Sequence, residues 1–429
     1  MDEHIQRGHT IYDELIHIFD THSNINELGL IVSVEKFTAK NAAASSSTPS
    51  QSMEISPSQS FIVVENNLGV SVGSVPPLYH YCFVTFNTLL DNCKLRNCND
   101  ITDEQFAQQI RDYNDGPLLD TLNKLTKVIL MVNAENLTAL NLRKRLITAG
   151  LNTHIDEIKL LNFIFTKHPK SGEAWCHRRW VLHNSKGVAM DIASEMAVCR
   201  RVAEIYPKNY YAWTHRWWCL QQQMTVKNLL DDLKMMDQWS MRNISDYCGF
   251  NHRSLILRQL YNDVRNGGQC DWQSLLDLWL REFKMIDTFI VKYPGHETLW
   301  SHKRLLIGVW MSEILPNSRE QLVKCQLLSG LAFPTMISQL EYCQGIIGDT
   351  ASSYYTEQKT FAQRFAFWIL QLSIKLTTSS GNPVHLDEHV IPNEVRQMVI
   401  NELMQSNDPF PPILVLKQQL QQQPQQHAQ

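Results

Sequence analysis

The 429-residue chain has no run of about 18 or more apolar residues, so no membrane-spanning helix is expected. It has no excess of positive charge. Its 39 Lys and Arg face 43 Asp and Glu, a formal net charge of −4, which argues against a general pull toward nucleic acid and leaves room only for a local basic patch. The amino-terminal MDEHIQRGHT lacks the basic flank and apolar core of a secretory signal, and it lacks Gly at position 2 for myristoylation. The expected compartment is the cytoplasm. No disulfide framework is apparent among the ten scattered Cys, which read as reduced thiols, many of them core residues. There is no Walker A loop, no GxSxG, no dinucleotide fingerprint and no HExxH pair. Cys93 and Cys98 have a C-x4-C spacing with His80 and Cys82 nearby, but no second ligand pair follows, so no metal ligands are assigned. Finally, none of the eleven Trp occurs before Trp175.

What is present is a large apolar fraction, 44%, enough for one sizeable core or two. Residues 1–115 are expected to hold an amphipathic helix (Ile5, Tyr12, Leu15, Ile16, Phe19), short β-like segments at Gly29 to Phe37 and Phe61 to Val72, and a Ser-rich loop at about 42–60. That loop's composition cannot offset chain entropy by burial and predicts mobility. Helices are expected at Tyr79 to Leu90 and Leu118 to Val132. Residues 116–375 read as helical throughout. Residues 376–429 form a C-terminal segment whose Gln-rich tail, from Lys417, is expected to be disordered.

The Trp-rich part repeats. HPKSGEAWCHRRWVL (168–182), YPKNYYAWTHRWWCL (206–220), ISDYCGFNHRSLIL (244–257) and YPGHETLWSHKRLLI (293–307) stack on a shared aromatic-x-His-Arg/Lys. The aromatics are Trp175, Trp213, Phe250 and Trp300. The histidines are His177, His215, His252 and His302, and the cations Arg178, Arg216, Arg253 and Lys303. Weaker copies carry Leu140 with Arg143, and Phe361 with Arg364. Successive cations from Arg143 to Arg364 lie 35, 38, 37, 50 and 61 residues apart. The first three intervals fit a two-helix repeat, and the last two imply insertions, with Asn266-Gly267-Gly268 marking one loop. Aromatic and cation, three residues apart, share a helix face. The aromatics are expected between layers, and the arginines on carboxylates or turn carbonyls of the adjacent repeat. Taken as residues alone, the histidines are packing and hydrogen-bonding groups.

PKNYYAWTHR (207–216) resembles the repeat of protein prenyltransferase α subunits, and the resemblance extends over about residues 130–370. It implies an all-α fold, a right-handed superhelix of TPR-like helical hairpins, an α-solenoid forming a crescent around a β chain. In that family the β chain carries the zinc and the isoprenoid pocket, so zinc and geranylgeranyl diphosphate are expected in the partner and no cofactor in this chain. The Ser-rich loop, the β-like segments and the diverged outer copies depart from the standard farnesyl- and Rab-transferase α subunits. The resemblance is to an orphan branch without a β chain of its own, which points to the β subunit of Rab geranylgeranyltransferase as partner. The implied activity is geranylgeranylation of a C-terminal Cys, with a farnesylated trafficking SNARE as one substrate. The site residues implied are Lys170, Lys208 and Tyr210 at the diphosphate. Tyr211, His177, His215, Asn251 and His252 are assigned to a substrate or partner face. Where the family has Asn-Tyr after the lysine, this chain has Ser171-Gly172. The alternatives are that both lysines are solvated turn residues and that the chain is a non-enzymatic repeat scaffold.

Overall fold

The computed structural model describes residues 3–44, 53–96, 101–113, 117–185, 190–329, 333–348, 356–378 and 391–405. The chain divides into two compact units, Met1–Gln222 and Gln223–Gln429. That boundary lies inside the repeat array.

The first unit begins with α1 (Glu3–Thr21), β1 (Glu27–Ile31), α2 (Val34–Ala44), β2 (Met53–Ile55), β3 (Phe61–Val64), β4 (Asn67–Ser71), α3 (Val75–Asn92) and α4 (Asp103–Arg111). Three helical hairpins follow: α5 (Leu118–Val132) with α6 (Leu137–Thr148), α7 (His154–Lys167) with α8 (Gly172–Asn184), and α9 (Ile192–Ile205) with α10 (Tyr210–Gln222). The strands form one sheet in the order β1-β4-β3-β2, with β1 parallel to β4 and the other pairs antiparallel. Part of the region read as a mobile Ser-rich loop is therefore ordered. Met53–Ile55 pairs with Ile62–Val64, and the turn between is tied by the Ser56 hydroxyl to the Ser60 and Phe61 amides. Similarly, the segment after Ile31 is helix α2 rather than strand continuing to Phe37.

These elements are not a separate layer. The Leu28 amide of β1 donates to the Thr166 hydroxyl of α7 at 3.0 Å, and α1 packs along α3, which in turn packs on α5. Gly8 permits the α1–α3 approach, because a methyl group there would overlap the Pro77 carbonyl. This docking places the amino-terminal region and the first hairpins in one unit.

The second unit contains α11 (Val226–Arg242), α12 (Tyr247–Arg265), α13 (Trp272–Lys292), α14 (Glu297–Val309), a π-helical turn (Trp310–Ile314), α15 (Leu315–Asn317), α16 (Arg319–Ser329), α17 (Met336–Gly348), α18 (Thr356–Thr378) and α19 (Asn393–Gln405). The helices α11–α12, α13–α14 and α17–α18 pair as hairpins. The 50-residue interval is not made by a loop alone. α12 and α13 have 19 and 21 residues, where α8 and α10 have 13 each, so the extra length goes into the helices, and Gly267 turns the chain at φ +68°. The 61-residue interval is filled by the π turn, α15 and α16.

Helix starts are set locally. Asn136, Thr153, Ser171, Asp191, Thr225 and Asp271 each accept a backbone N–H from the first turn of their helix. Packing follows the repeat. Trp175, Trp213, Phe250 and Trp300 are all buried, as expected of the interlayer rings. Trp175 stacks on Phe165 at 4.0 Å, and Trp300 meets Phe365 at 5.6 Å. Phe365, rather than Phe361, is thus the buried ring of the last copy. Among the described residues, no helix is long and apolar enough to cross a membrane. The Gln-rich tail lies outside the described residues.

Candidate functional site: helix-start turns on a buried ionic ladder

Beneath the repeat surface runs a ladder of buried carboxylates. In the first unit, Glu157 of α7 accepts from Arg143 of the preceding hairpin at 2.9 Å and from His177 of its own hairpin at 2.7 Å. Glu195 of α9 repeats this arrangement, taking a two-pronged contact from Arg178 (2.8 and 2.7 Å) and one from His215 (2.9 Å). In the second unit, Asp232 accepts from His252 at 2.6 Å, and Glu282 receives Arg253 together with His302 at 2.7 Å. Lys303 pairs with Asp287.

Burial alone would raise these carboxyls. The Arg143 charge and the His177 hydrogen bond outweigh burial at Glu157, His215 and Arg178 do so at Glu195, and Arg253 and His302 do so at Glu282. Each carboxyl is held at about 2. The His215 imidazole is pushed down, first by burial, against the pull of Glu195. Arg143, Arg178 and Arg253 hold carboxylates of an adjacent hairpin, as expected, whereas Arg216 donates to the Met196 carbonyl within its own hairpin. His177, His215 and His252, however, are not on an accessible face. All three are buried beneath their own hairpins, where the carboxylate needs their N–H. Of that predicted group, Asn251 and Tyr211 are exposed.

The ladder's acids were not identified in the sequence, although a signal existed. Glu157, Glu195, Asp232 and Glu282 each stand twenty residues before the histidine they bind. In each of these hairpins four residues join the two helices, so the interval is set by the depth of the rung below that turn and not by helix length.

The same geometry disposes of one metal-like cluster. Glu195, His215 and Cys219 bring ligand atoms within 4.8 Å of one another. The carboxylate is already shared by Arg178 and His215, and a cation there would sit beside a guanidinium. These residues do not fit a zinc ion. Cys82 and Cys93 are buried, and Cys98 lies outside the described residues.

The turns above the ladder carry the predicted site. Asn209 is fully buried. Its amide donates to the Pro169 carbonyl at 2.7 Å, while its carbonyl accepts from the Tyr211 and Ala212 amides at the start of α10. Pro169 also receives the Trp175 indole N–H at 3.0 Å. One hairpin's turn is thereby pinned to the next. Ser171 performs the same double task one repeat earlier: it donates to the Ala134 carbonyl at 3.3 Å and accepts from Ala174 at 3.1 Å. Gly172 leaves room for Tyr211, whose ring would lie about 3.1 Å from a Cβ placed there. The Ser171-Gly172 departure thus preserves the turn, with Ser in the role of Asn and Gly making space for the neighbouring aromatic.

The result is an exposed cationic and aromatic patch on the first unit. The Lys170 ammonium lies 4.0 Å from the centroid of Tyr206, a residue that the repeat pattern did not single out. Lys208 is exposed and sits in the left-handed region at φ +60°. Tyr210 and Tyr211 meet edge-on at 5.6 Å, with 64% and 37% of their surfaces accessible. Chemically, such a patch suits an anion or a partner surface.

Four stretches, residues 155–185, 192–223, 229–260 and 279–309, match the protein prenyltransferase alpha subunit repeat. They coincide with the hairpins α7–α8, α9–α10, α11–α12 and α13–α14. The chain carries protein prenyltransferase α-subunit repeats. It is 33% identical over 233 residues to the Homo sapiens protein prenyltransferase alpha subunit repeat-containing protein 1, a match covering 43% of this chain and 58% of the relative. Against the Danio rerio protein of the same name it is 27% identical over 344 residues, covering 70% and 72%. It is 26% identical over 202 residues to the Bos taurus geranylgeranyl transferase type-2 subunit alpha, covering 45% and 35%. It is therefore a prenyltransferase α-subunit-like protein. The α5–α6 hairpin lies outside the matched repeats. Its Asn136 cap and its Arg143 contact to Glu157 nevertheless give it the same construction.

Proposed function

We propose that this chain is the α-type subunit of a heterodimeric protein geranylgeranyltransferase. It holds a β subunit and the substrate for thioether formation at a C-terminal Cys, with the β subunit of Rab geranylgeranyltransferase as its partner. Zinc and geranylgeranyl diphosphate belong to that partner. Zinc supplies a thiolate from the substrate Cys. The substrate class is a trafficking protein ending in Cys, including one already farnesylated.

The observation that carries the proposal is the exposed patch of Lys170, Lys208 and Tyr210 on turns locked together by Asn209 and Pro169. A diphosphate leaving group gains negative charge as the carbon–oxygen bond breaks. Cations already fixed beside helix starts meet that charge without reorganising. Lys208 adopts a left-handed backbone that a non-glycine residue rarely takes, as turns at functional sites do. Tyr206 lies beneath the Lys170 ammonium and limits where it can swing.

The test is single-turnover transfer by the reconstituted α–β pair. Lys170→Ala is expected to lower the transfer rate about 100- to 1,000-fold, the cost of one preorganised electrostatic contact, with isoprenoid binding and β-subunit affinity retained. Lys208→Ala is expected to cost less. Unchanged rates in both variants would leave the lysines as solvated turn residues. Failure to bind any prenyltransferase β chain would favour a scaffold with other partners.

A further inference from the structure

In the first unit, α1 lies against α3 so that its last turn, the α6–α7 turn and one face each of α5 and α7 border a cleft of about 430 Å³. Most charges around it are compensated. Lys124 pairs with Asp120 at 3.0 Å and with Asp20 at 3.6 Å, Lys159 lies 3.7 Å from Asp156, and Arg143 is committed to Glu157 and the Thr126 hydroxyl.

Lys127 is different. Among the described residues it makes no ion pair, and its ammonium lies 3.2 Å from the Phe19 ring centroid and 6.0 Å from that of Phe163. Those two rings meet edge-on at 6.0 Å. Burial, and then the Arg143 charge, push Lys127 down to about 8 against the opposing pull of the Asp20 carboxylate, which is not within ion-pair distance. A methionine would fill this aromatic notch without any desolvated charge. A half-buried cation retained where an apolar side chain would pack is the kind of locally unfavourable choice expected at a functional position.

One turn before Lys127 on α5, Asn123 bonds reciprocally with Asn152 of the α6–α7 turn, amide to carbonyl, at 2.9 and 2.7 Å, and the Asn123 carbonyl also accepts from Arg143 at 3.3 Å. That pairing uses one N–H of each amide and leaves the other on each available. The cleft therefore offers an ammonium and two amide donors beside an aromatic wall.

We propose that this cleft binds a small phosphate monoester with a flat or apolar body. Lys127 and the Asn123 and Asn152 amides take the phosphate oxygens, and the body packs against Phe19 and Phe163. The proposal does not depend on pairing with a β subunit, and it involves none of the turn residues assigned above.

The probe is phenyl phosphate, titrated calorimetrically into the full chain, with benzoate and inorganic phosphate as comparisons. Wild type is expected to bind phenyl phosphate at least tenfold more tightly than either. Lys127→Met is expected to lose that binding at least tenfold while raising the melting temperature of the unligated chain. Lys159→Met, at the exposed rim, is expected to change neither. In the unmodified protein, acetylation of Lys127 followed by peptide mass spectrometry is expected to slow at least fivefold under saturating phenyl phosphate, with Lys159 unaffected. The proposal is overturned by the absence of phenyl phosphate binding, by equal binding in Lys127→Met, or by no protection of Lys127. Equal affinity for benzoate would overturn the phosphate assignment. A lower melting temperature or failed folding in Lys127→Met would make the ammonium a structural element, and the acetylation result would then decide the ligand independently.

Discussion

The ladder carboxylates should make the first unit acid-labile in a way that can be calculated. Glu157 and Glu195 are held at about 2, whereas a glutamate in an unfolded chain titrates near ~4.3. Because the folded value is the lower one, the stabilisation is fully present above about pH 5 and is lost as pH falls toward the folded value near 2. Each carboxyl contributes about 3 kcal/mol, from roughly two units at 1.36 kcal/mol per unit, so the pair contributes about 6. That is comparable with the whole stability of an ordinary domain, about 5–15 kcal/mol. His215, pushed below its ordinary value, acts in the same direction, since the unfolded imidazole takes up a proton first as pH falls. Between pH 5 and 3, urea unfolding followed by hydrogen exchange in α7–α10 should show stability falling by up to about 1.4 kcal/mol per pH unit for each carboxyl. Glu195→Gln should lower the neutral-pH plateau by about 3–5 kcal/mol, because Arg178 is left buried and unpaired. It should also remove one proton's share of the slope. A variant with the full wild-type slope would refute the assignment of that acid dependence to Glu195.

Other outcomes follow from particular contacts. Trp213→Ala should destabilise by about 3–5 kcal/mol in denaturant unfolding, since the indole is buried between helices. Asn209→Ala should cost about 1–3 kcal/mol by removing both the α10 cap and the bond to Pro169, and hydrogen exchange should loosen at the Tyr211 and Ala212 amides first. Gly172→Leu should displace Tyr211 and weaken β-subunit binding while leaving the melting temperature nearly unchanged; unaltered affinity would remove Tyr211 from the partner surface. Elemental analysis of the purified chain should find no stoichiometric zinc, and one zinc per chain would overturn the placement of the metal in the partner.

Much of this protein follows from local sequence. The aromatic-x-His-Arg/Lys spacing defined the second helix of each hairpin, because positions three and four apart share one helix face. Side-chain caps such as Thr153 and Asp271 set where helices begin, and Leu118 to Val132 forms a helix over the range its apolar pattern predicts. The fate of the histidines was decided only by tertiary packing. A His on a repeat helix has the same local sequence whether it faces a partner or a buried glutamate, and folding each hairpin places Glu157 and Glu195 beneath His177 and His215. The amino-terminal sheet likewise needed pairing between strands distant in sequence, and its dock onto Thr166 has no local signature. Lys127 is the sharpest case. Its neighbours in sequence describe an ordinary amphipathic helix, and only the approach of Phe19 from α1 and Phe163 from α7 turns an exposed-face lysine into a half-buried cation without a carboxylate partner among the described residues. Sequence periodicity fixes which side of a helix a residue occupies, whereas the dielectric and the partners it meets there are set by the elements that pack against that side.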